Sequence, residues 1–215
     1  MIALVCTYNG RRDCLAETLP SLEMLSGPIT HRILVNDTPE PLHSDGWWVV
    51  DHGGNRGLAA AVQSGWNQAL AHDDVRFVCH WEDDMVLERE VNLIDLSAAL
   101  NARPYLAQIT LQRHGVNAVE AEGQLRAIIA QSMEWRVEEP WPLTVHDHLF
   151  SLNPCLIPRE VVEMGWPSGP IGVGNEDGMT AKCKEAGLLF ATWGTVDDLP
   201  YVRHIGHERA ASWSL

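Results

Sequence analysis

The sequence predicts an α/β fold, a mostly parallel sheet flanked by helices in a single domain. Three observations carry that expectation. Short apolar runs alternate with helical stretches over the first hundred residues. Each apolar run stops at a cluster of polar turn formers. The chain has 215 residues, 46% hydrophobic and 20% charged, which suits one well-buried core and leaves no room for a largely disordered chain.

Taken in order, residues 2–6 are a continuous apolar run ended by Thr7-Tyr8-Asn9-Gly10, the pattern of a buried strand. The next 20 residues read as a helix with Leu15, Leu19, Leu22 and Leu25 on one face, stopped by Gly27-Pro28. A second strand, His31 to Val35, runs into Asn36-Asp37-Thr38-Pro39 and completes a β-α-β unit. Trp47 to Val50 forms a third strand, followed by the turn 51–57 and a helix from about Leu58 to Ala71. Arg76 to Trp81 is a further strand ending in Glu82-Asp83-Asp84. In parallel sheets ligands bind at the carboxyl ends of the strands, where all these polar clusters fall. Beyond residue 90 the expected elements are a helix from Val91 to Ala102, a strand from Tyr105 to Leu111 and a strand from Phe150 to Ile157 broken at Pro154. A helix from Glu176 to Gly187 and a strand from Leu188 to Trp193 complete the reading.

Lys+Arg 15 against Asp+Glu 29 gives a net charge of −14, which disfavours nucleic acid and anionic lipid unless a local basic patch overrides it. No apolar stretch approaches the roughly 18 residues of a membrane helix, and the start lacks the basic segment of an export signal. The five cysteines form no C-x-x-C pair and sit mostly in apolar runs, as suits a reducing compartment. A cytoplasmic location is therefore expected. The nine tryptophans can fill core or stack on sugar rings; core filling is the expectation for most of them.

Three consecutive acids at a strand end repel one another unless a cation relieves them. Hard carboxylate oxygens there suit Mn2+ or Mg2+ bridging a diphosphate; a solvated acidic turn is the alternative. His204 and His207 could add an imidazole ligand, His207 being preferred because it follows Gly206. His146-Asp147-His148 lacks further ligands at suitable spacing and reads as a loop.

In order along the chain, Val5-Cys6-Thr7-Tyr8-Asn9, Val35-Asn36-Asp37-Thr38, Asn55-Arg56-Gly57 with Ala61, Glu82-Asp83-Asp84, Asn153-Pro154, Gly174-Asn175-Glu176-Asp177 and Arg203-His204-Ile205-Gly206-His207 resemble the blocks of the GT-A fold glycosyltransferases, specifically the inverting family 2 group. Asn36 stands where that pattern has Asp, and Glu82 replaces the leading Asp of its metal motif. The resemblance implies a Rossmann-like single domain, with residues 1–100 binding the nucleotide-sugar donor and 101–215 the acceptor. It implies a metal-dependent inverting transfer of sugar from a nucleoside diphosphate sugar, UDP-sugar favoured, to an unidentified hydroxyl acceptor. Thr7, Tyr8 and Asp37 would line the base pocket and Arg12 and Arg56 would lie at the diphosphate, with Asn9, Asn55, Gly57, Glu82 and Asp83 also binding the donor. Asp84 would be the direct metal ligand, with Glu82 and Asp83 beside it and His207 or His204 completing the shell. Asp177 would be the general base, Glu176 being the rival and helix capping the alternative role. Trp135, Trp141 and Trp166 lie in the acceptor-side segment. Two other functions stay open: a nucleotidyltransferase, which would need a Gly-rich phosphate loop that 7–12 lacks, and a non-catalytic nucleotide-sugar-binding protein.

Overall fold

Alternate side chains of the first strand, β1 (Ile2–Tyr8), enter two separate cores, which is why every residue of it is buried. The computed structural model describes residues 1–111, 113–114, 136–138, 140–167, 174–194 and 198–206. After β1 come α1 (Arg12–Ser21), a single 3-10 turn at Leu22–Met24, and the two-residue β2 (Leu25–Ser26). The expected helix through Leu25 thus stops early. Pro20 lies in its last turn, where the missing N–H removes a helical hydrogen bond, and Leu25 and Ser26 pair instead with β7 (Val91–Asn92).

The strands β3 (Ile29–Asn36), β4 (Trp48–Asp51) and β5 (Phe77–Glu82) join β1 in parallel register, Thr7 facing Val35 on one side and Glu82 on the other. Between β4 and β5 runs α2 (Leu58–Leu70), entered through Gly57 at φ +87°, a conformation that favours glycine. The chain then turns back at once into β6 (Met85–Leu87), a strand the pattern did not disclose. The next helix, α3 (Leu93–Ala102), starts two residues later than expected because the Asn92 side chain accepts a hydrogen bond from the Ile94 N–H, 3.0 Å, and caps it.

Later strands return to both sheets. They are β8 (Leu106–Leu111), β9 (Arg113–His114), β10 (Arg136–Glu138), β11 (Leu143–His146), β12 (Cys155–Pro158), β13 (Leu189–Trp193) and β14 (Val202–His204). The short α4 (Arg159–Val162) follows β12, and α5 (Gly174–Glu185) precedes β13. The main sheet has the order β10-β11-β13-β8-β12-β5-β1-β3-β4. Only β11 and β12 run against the other strands. A small sheet, β6-β14-β9, stands at the end of β5.

The two cores are the two faces of the main sheet. Leu4, Cys6 and Leu34 pack with Leu15 of α1 and Leu93, Leu96 and Leu100 of α3. Val5, Ile33 and Val35 pack with Val62 and Trp66 of α2, Val161 of α4 and Met179 of α5. Gly65 of α2 lets that helix lie directly on β1 and β3, since a Cβ there would overlap Val5. Among the described residues no helix is long and apolar enough to cross a membrane.

Candidate active site

Hydrogen bonds from four elements fix the acids at the end of β5. The Asp83 N–H donates to the Thr7 carbonyl at 3.0 Å, Thr18 Oγ1 of α1 donates to the Asp83 carbonyl at 2.8 Å, and the Ile205 N–H donates to the Asp84 carbonyl at 2.9 Å. Trp81 Nε1, buried beneath them, donates to the Met85 carbonyl at 2.6 Å. Both Asp83 and Asp84 are only 2% exposed. The Asn9 N–H reaches Asp83 Oδ2 at 3.3 Å, and His204 Nε2 lies 3.0 Å from Asp84 Oδ2. Strand β14 pairs with β6, His204 opposite Met85, and this places the imidazole over Asp84.

A residue the sequence reading passed over completes the cluster. The Arg11 guanidinium forms ion pairs with Asp83 through Nη2 and with Asp84 through Nη1, while its Nε donates to Asn9 Oδ1 at 3.1 Å. The doublet Arg11-Arg12 facing three acids was the available signal. Burial pushes the Asp83 carboxyl up to about 6, with Arg11 pulling the other way. Burial also opposes ionisation of Asp84, but the His204 hydrogen bond and the Arg11 charge outweigh it and hold that group below the usual carboxylate range. Asp84 Oδ1 is buried with no hydrogen-bond partner among the described residues. A carboxylate oxygen left in that state is costly, and with the neighbouring imidazole it forms a hard oxygen and nitrogen donor set of the kind Mn2+ or Mg2+ accepts.

A second polar cluster lies at the ends of β3 and β4. Asp37, also buried, accepts from the Arg56 N–H at 2.7 Å, the Gly57 N–H at 2.9 Å and His52 Nδ1 at 2.7 Å, so it shapes the turn leading into α2. His52 Nε2 contacts Ser64 Oγ of α2 at 2.9 Å. Asn55 Oδ1 accepts from the Gly57 N–H, and Arg56 Nη2 donates to the His52 carbonyl at 3.1 Å. Asn36 donates through Nδ2 to the Glu40 carbonyl and to Asp51 Oδ1, both 2.7 Å, and accepts from Thr38 Oγ1. An Asp at 36 would set two carboxylates against each other, which accounts for the amide here. Tyr8 is buried in the first core, and Arg12 is exposed.

On the other half, Glu176 Oε1 accepts from the Leu152 N–H at 2.6 Å, and Thr180 Oγ1 accepts from the Phe150 N–H at 2.8 Å, tying the start of α5 to residues 150–152. Asp177, in the first turn, is exposed. The expected acceptor surface changes. Trp166 is 5% exposed and packs edge-on to Trp66 and Phe150 in the second core, where no acceptor can stack on it. Trp141 is partly buried under the Arg103 guanidinium, 5.1 Å from its ring centre. Trp135 and His207 lie outside the described residues. The structure therefore brings together Thr7, Asn9, Asp83, Asp84 and His204, and separately Asp37, Asn55, Arg56 and Gly57. His31, His72 and Asp74, whose ligand atoms lie within 4.8 Å of one another, form a distinct group at the opposite, amino-terminal ends of the strands.

Neither a protein-family model nor a curated protein matches the sequence. Solved structures do match. The mannosyltransferase PcManGT from Pyrobaculum calidifontis, solved with GDP-Man and Mn2+, is 18% identical with a TM-score of 0.61, over 97% of this chain and 57% of that one. Residues 1–349 of S. aureus TarS, solved with UDP, are 13% identical with a TM-score of 0.58, over 94% and 59%. GalNAc-T7, solved with UDP, GalNAc and Mn2+, is 13% identical with a TM-score of 0.67, over 96% and 44%. The chain thus spans less than two thirds of the length of each. At these identities the likeness is one of architecture, and the chain has the GT-A fold.

Proposed function

We propose that the protein is an inverting, family 2-like glycosyltransferase that moves a sugar from a nucleoside diphosphate sugar to a hydroxyl acceptor, with a divalent cation at Asp84. The observation that carries this reading is the buried acid pair at the carboxyl end of β5, with His204 delivered onto it and one Asp84 oxygen without a hydrogen-bond partner among the described residues. Those residues fit Mn2+ or Mg2+, with Asp84 and His204 holding it, Asp83 and Glu82 adjacent, and His207 the alternative imidazole. The ion would supply positive charge to the departing diphosphate.

Residues 1–100 bind the donor in this reading. Thr7, Tyr8 and Asp37 form the base pocket and Arg12 and Arg56 lie at the diphosphate, with Asn9, Asn55 and Gly57 also at the donor. In residues 101–215, Asp177 takes the proton from the acceptor hydroxyl as the new glycosidic bond forms. The bond between the anomeric carbon and the phosphate oxygen breaks, and its electron pair leaves with the nucleoside diphosphate. Glu176 already holds the Leu152 N–H, which favours exposed Asp177 as the base. Structures of similar fold were solved with UDP or GDP-Man, so the decisive experiment is a panel of UDP- and GDP-sugars scored for thermal stabilisation with and without Mn2+. Mn2+-dependent stabilisation by one donor, with slow donor hydrolysis, is the expected result; a donor bound but never cleaved would make the protein a binder, and none bound would end the reading.

A further inference from the structure

We propose that Arg11 is a movable resident cation: it fills the Asp83–Asp84 pair while no donor is bound, and passes to the donor's diphosphate when a divalent ion takes the acids. This rests on the glycosyl-transfer reading above and adds a diphosphate-binding residue to it.

The seat of Arg11 is built from three directions. Its two terminal nitrogens meet different carboxylates, and its Nε meets Asn9 Oδ1 at 3.1 Å. The acids are almost wholly buried, whereas the Arg11 side chain keeps 23% of its surface in solvent, so the guanidinium closes the acid pair from the open side. Gly206 makes room for this arrangement, because a Cβ there would overlap both Asp84 Oδ2 and Arg11 Nη1. Two buried carboxylates side by side need a positive charge, and Arg11 supplies one.

The same atoms are the ones a divalent ion would need. Nη1 of Arg11 and Nε2 of His204 both lie on Asp84 Oδ2, and an ion bound to that oxygen would sit within a few ångströms of the guanidinium. Like charges at that separation exclude each other. Arg11 must then leave, and its position directs where it goes. It follows Gly10, whose φ of +104° turns the chain sharply between β1 and α1, and it stands at the mouth of the acid pair. A planar guanidinium released beside a metal-bound diphosphate can take two phosphate oxygens with parallel N–H donors. In this reading Arg11 would share the diphosphate with Arg12 and Arg56. The consequence is ordered loading: the metal enters tightly only with a diphosphate to receive the displaced arginine.

The test measures Mn2+ binding by electron paramagnetic resonance on the full chain, alone and with UDP or GDP, for wild type, Arg11→Met and Asp84→Asn. Arg11→Met is expected to bind Mn2+ alone at least 10-fold more tightly than wild type. At saturating Mn2+ it is expected to bind the nucleoside diphosphate at least 10-fold more weakly. Arg11→Lys, which keeps a charge but not the fork, should fall between them and provides a second variant if Arg11→Met does not fold. If Asp84→Asn abolishes Mn2+ binding while both Arg11 variants match wild type, the metal site stands and the role of Arg11 is overturned. If Asp84→Asn binds Mn2+ as wild type does, the site reading and this inference fail together.

Discussion

The two halves of the main sheet are built by different rules. From β4 to β5 the strands are parallel, each linked to the next by a nearby helix or turn, and the polar groups at their ends follow directly in sequence. Beyond β5 the reversed strand β12 is inserted between β5 and β8, and β11 is paired against β13 from nearly fifty residues away. The first half is parallel throughout, whereas the second mixes strand directions. On the proposed function this divides the labour, with the acids of the donor half set on a strand end and Asp177 of the acceptor half set on an exposed helix turn.

The sharpest way to break that division is a pair of substitutions. Asp84→Asn should abolish Mn2+-dependent donor binding, and with it transfer. Asp177→Asn should leave donor binding intact yet lower the transfer rate by about 10²–10⁴-fold, the usual contribution of general base catalysis. Calorimetry for binding and a donor-consumption assay for rate separate the two. If Asp177→Asn turns over normally, Asp177 is a helix-terminal acid only and Glu176 becomes the base to test.

Much of the first hundred residues was legible because their signals are contiguous. β1, β3, α2 and β5 lie close to where apolar runs and polar turns place them, and Glu82-Asp83-Asp84 does end a buried strand. The site's closure was not legible. β6 and β14 are three residues each, separated by more than a hundred positions, and no local pattern tells such short strands which partner they have. The same limit hid Arg11, whose partners are about seventy residues away, and His52, which looks like a loop residue until Asp37 and Ser64 close around it. Trp166, placed by sequence in the acceptor-side segment, is instead core: its ring is the cover between α2 and Phe150, a long-range contact no local pattern discloses.

A second, smaller effect concerns stability against pH. His80 in β5 is fully buried with neither ring nitrogen partnered among the described residues, and desolvation lowers it from 6.5 to about 4. Its folded value lies below the unfolded one, so the unfolded chain binds the extra proton between these limits. Stability is therefore full above pH 6.5 and falls as the pH drops toward 4, by about 3 kcal/mol for a shift of this size. Asp83, raised by burial from 3.8 to about 6, acts in the opposite sense over its own window. His146 in β11, lowered to about 4 first by desolvation and then by His148, acts with His80. The clean measurement is the difference between wild type and His80→Leu in urea unfolding at pH 7.5 and pH 5. An unchanged pH slope in the variant would remove His80 from the account.

Asn36→Asp should cost about 2–3 kcal/mol, since it removes a buried donor and brings a carboxylate against Asp51. Chemical denaturation at pH 7 measures it. Partial recovery at a pH low enough to protonate one of the two acids is the signature of charge repulsion, and its absence would assign the loss to the missing hydrogen bonds.

The smallest effect compares the two halves through one glycine in each. In an exposed helix, Gly→Ala stabilises by about 1 kcal/mol because alanine loses less backbone freedom on folding. At Gly65 the sign should reverse. Its Cβ would overlap Val5 Cγ1 and lie 3.1 Å from Val35 Cγ2, two side chains held by β1 and β3 in the centre of the parallel half, so neither can yield without disturbing the sheet. Overpacking of this kind costs about 1–3 kcal/mol, which leaves a net loss of up to about 2 kcal/mol against the helix gain. Gly178 of α5 makes the matching contact on the other half, with its Cβ 3.0 Å from the Pro167 Cβ. Pro167 belongs to a loop segment, not to a strand, so a shift of a few tenths of an ångström there breaks no sheet pairing. Gly178→Ala should therefore be close to neutral. Thermal unfolding of the two alanine variants side by side measures the difference, and equal losses at both positions would show that the acceptor half is packed as tightly as the donor half.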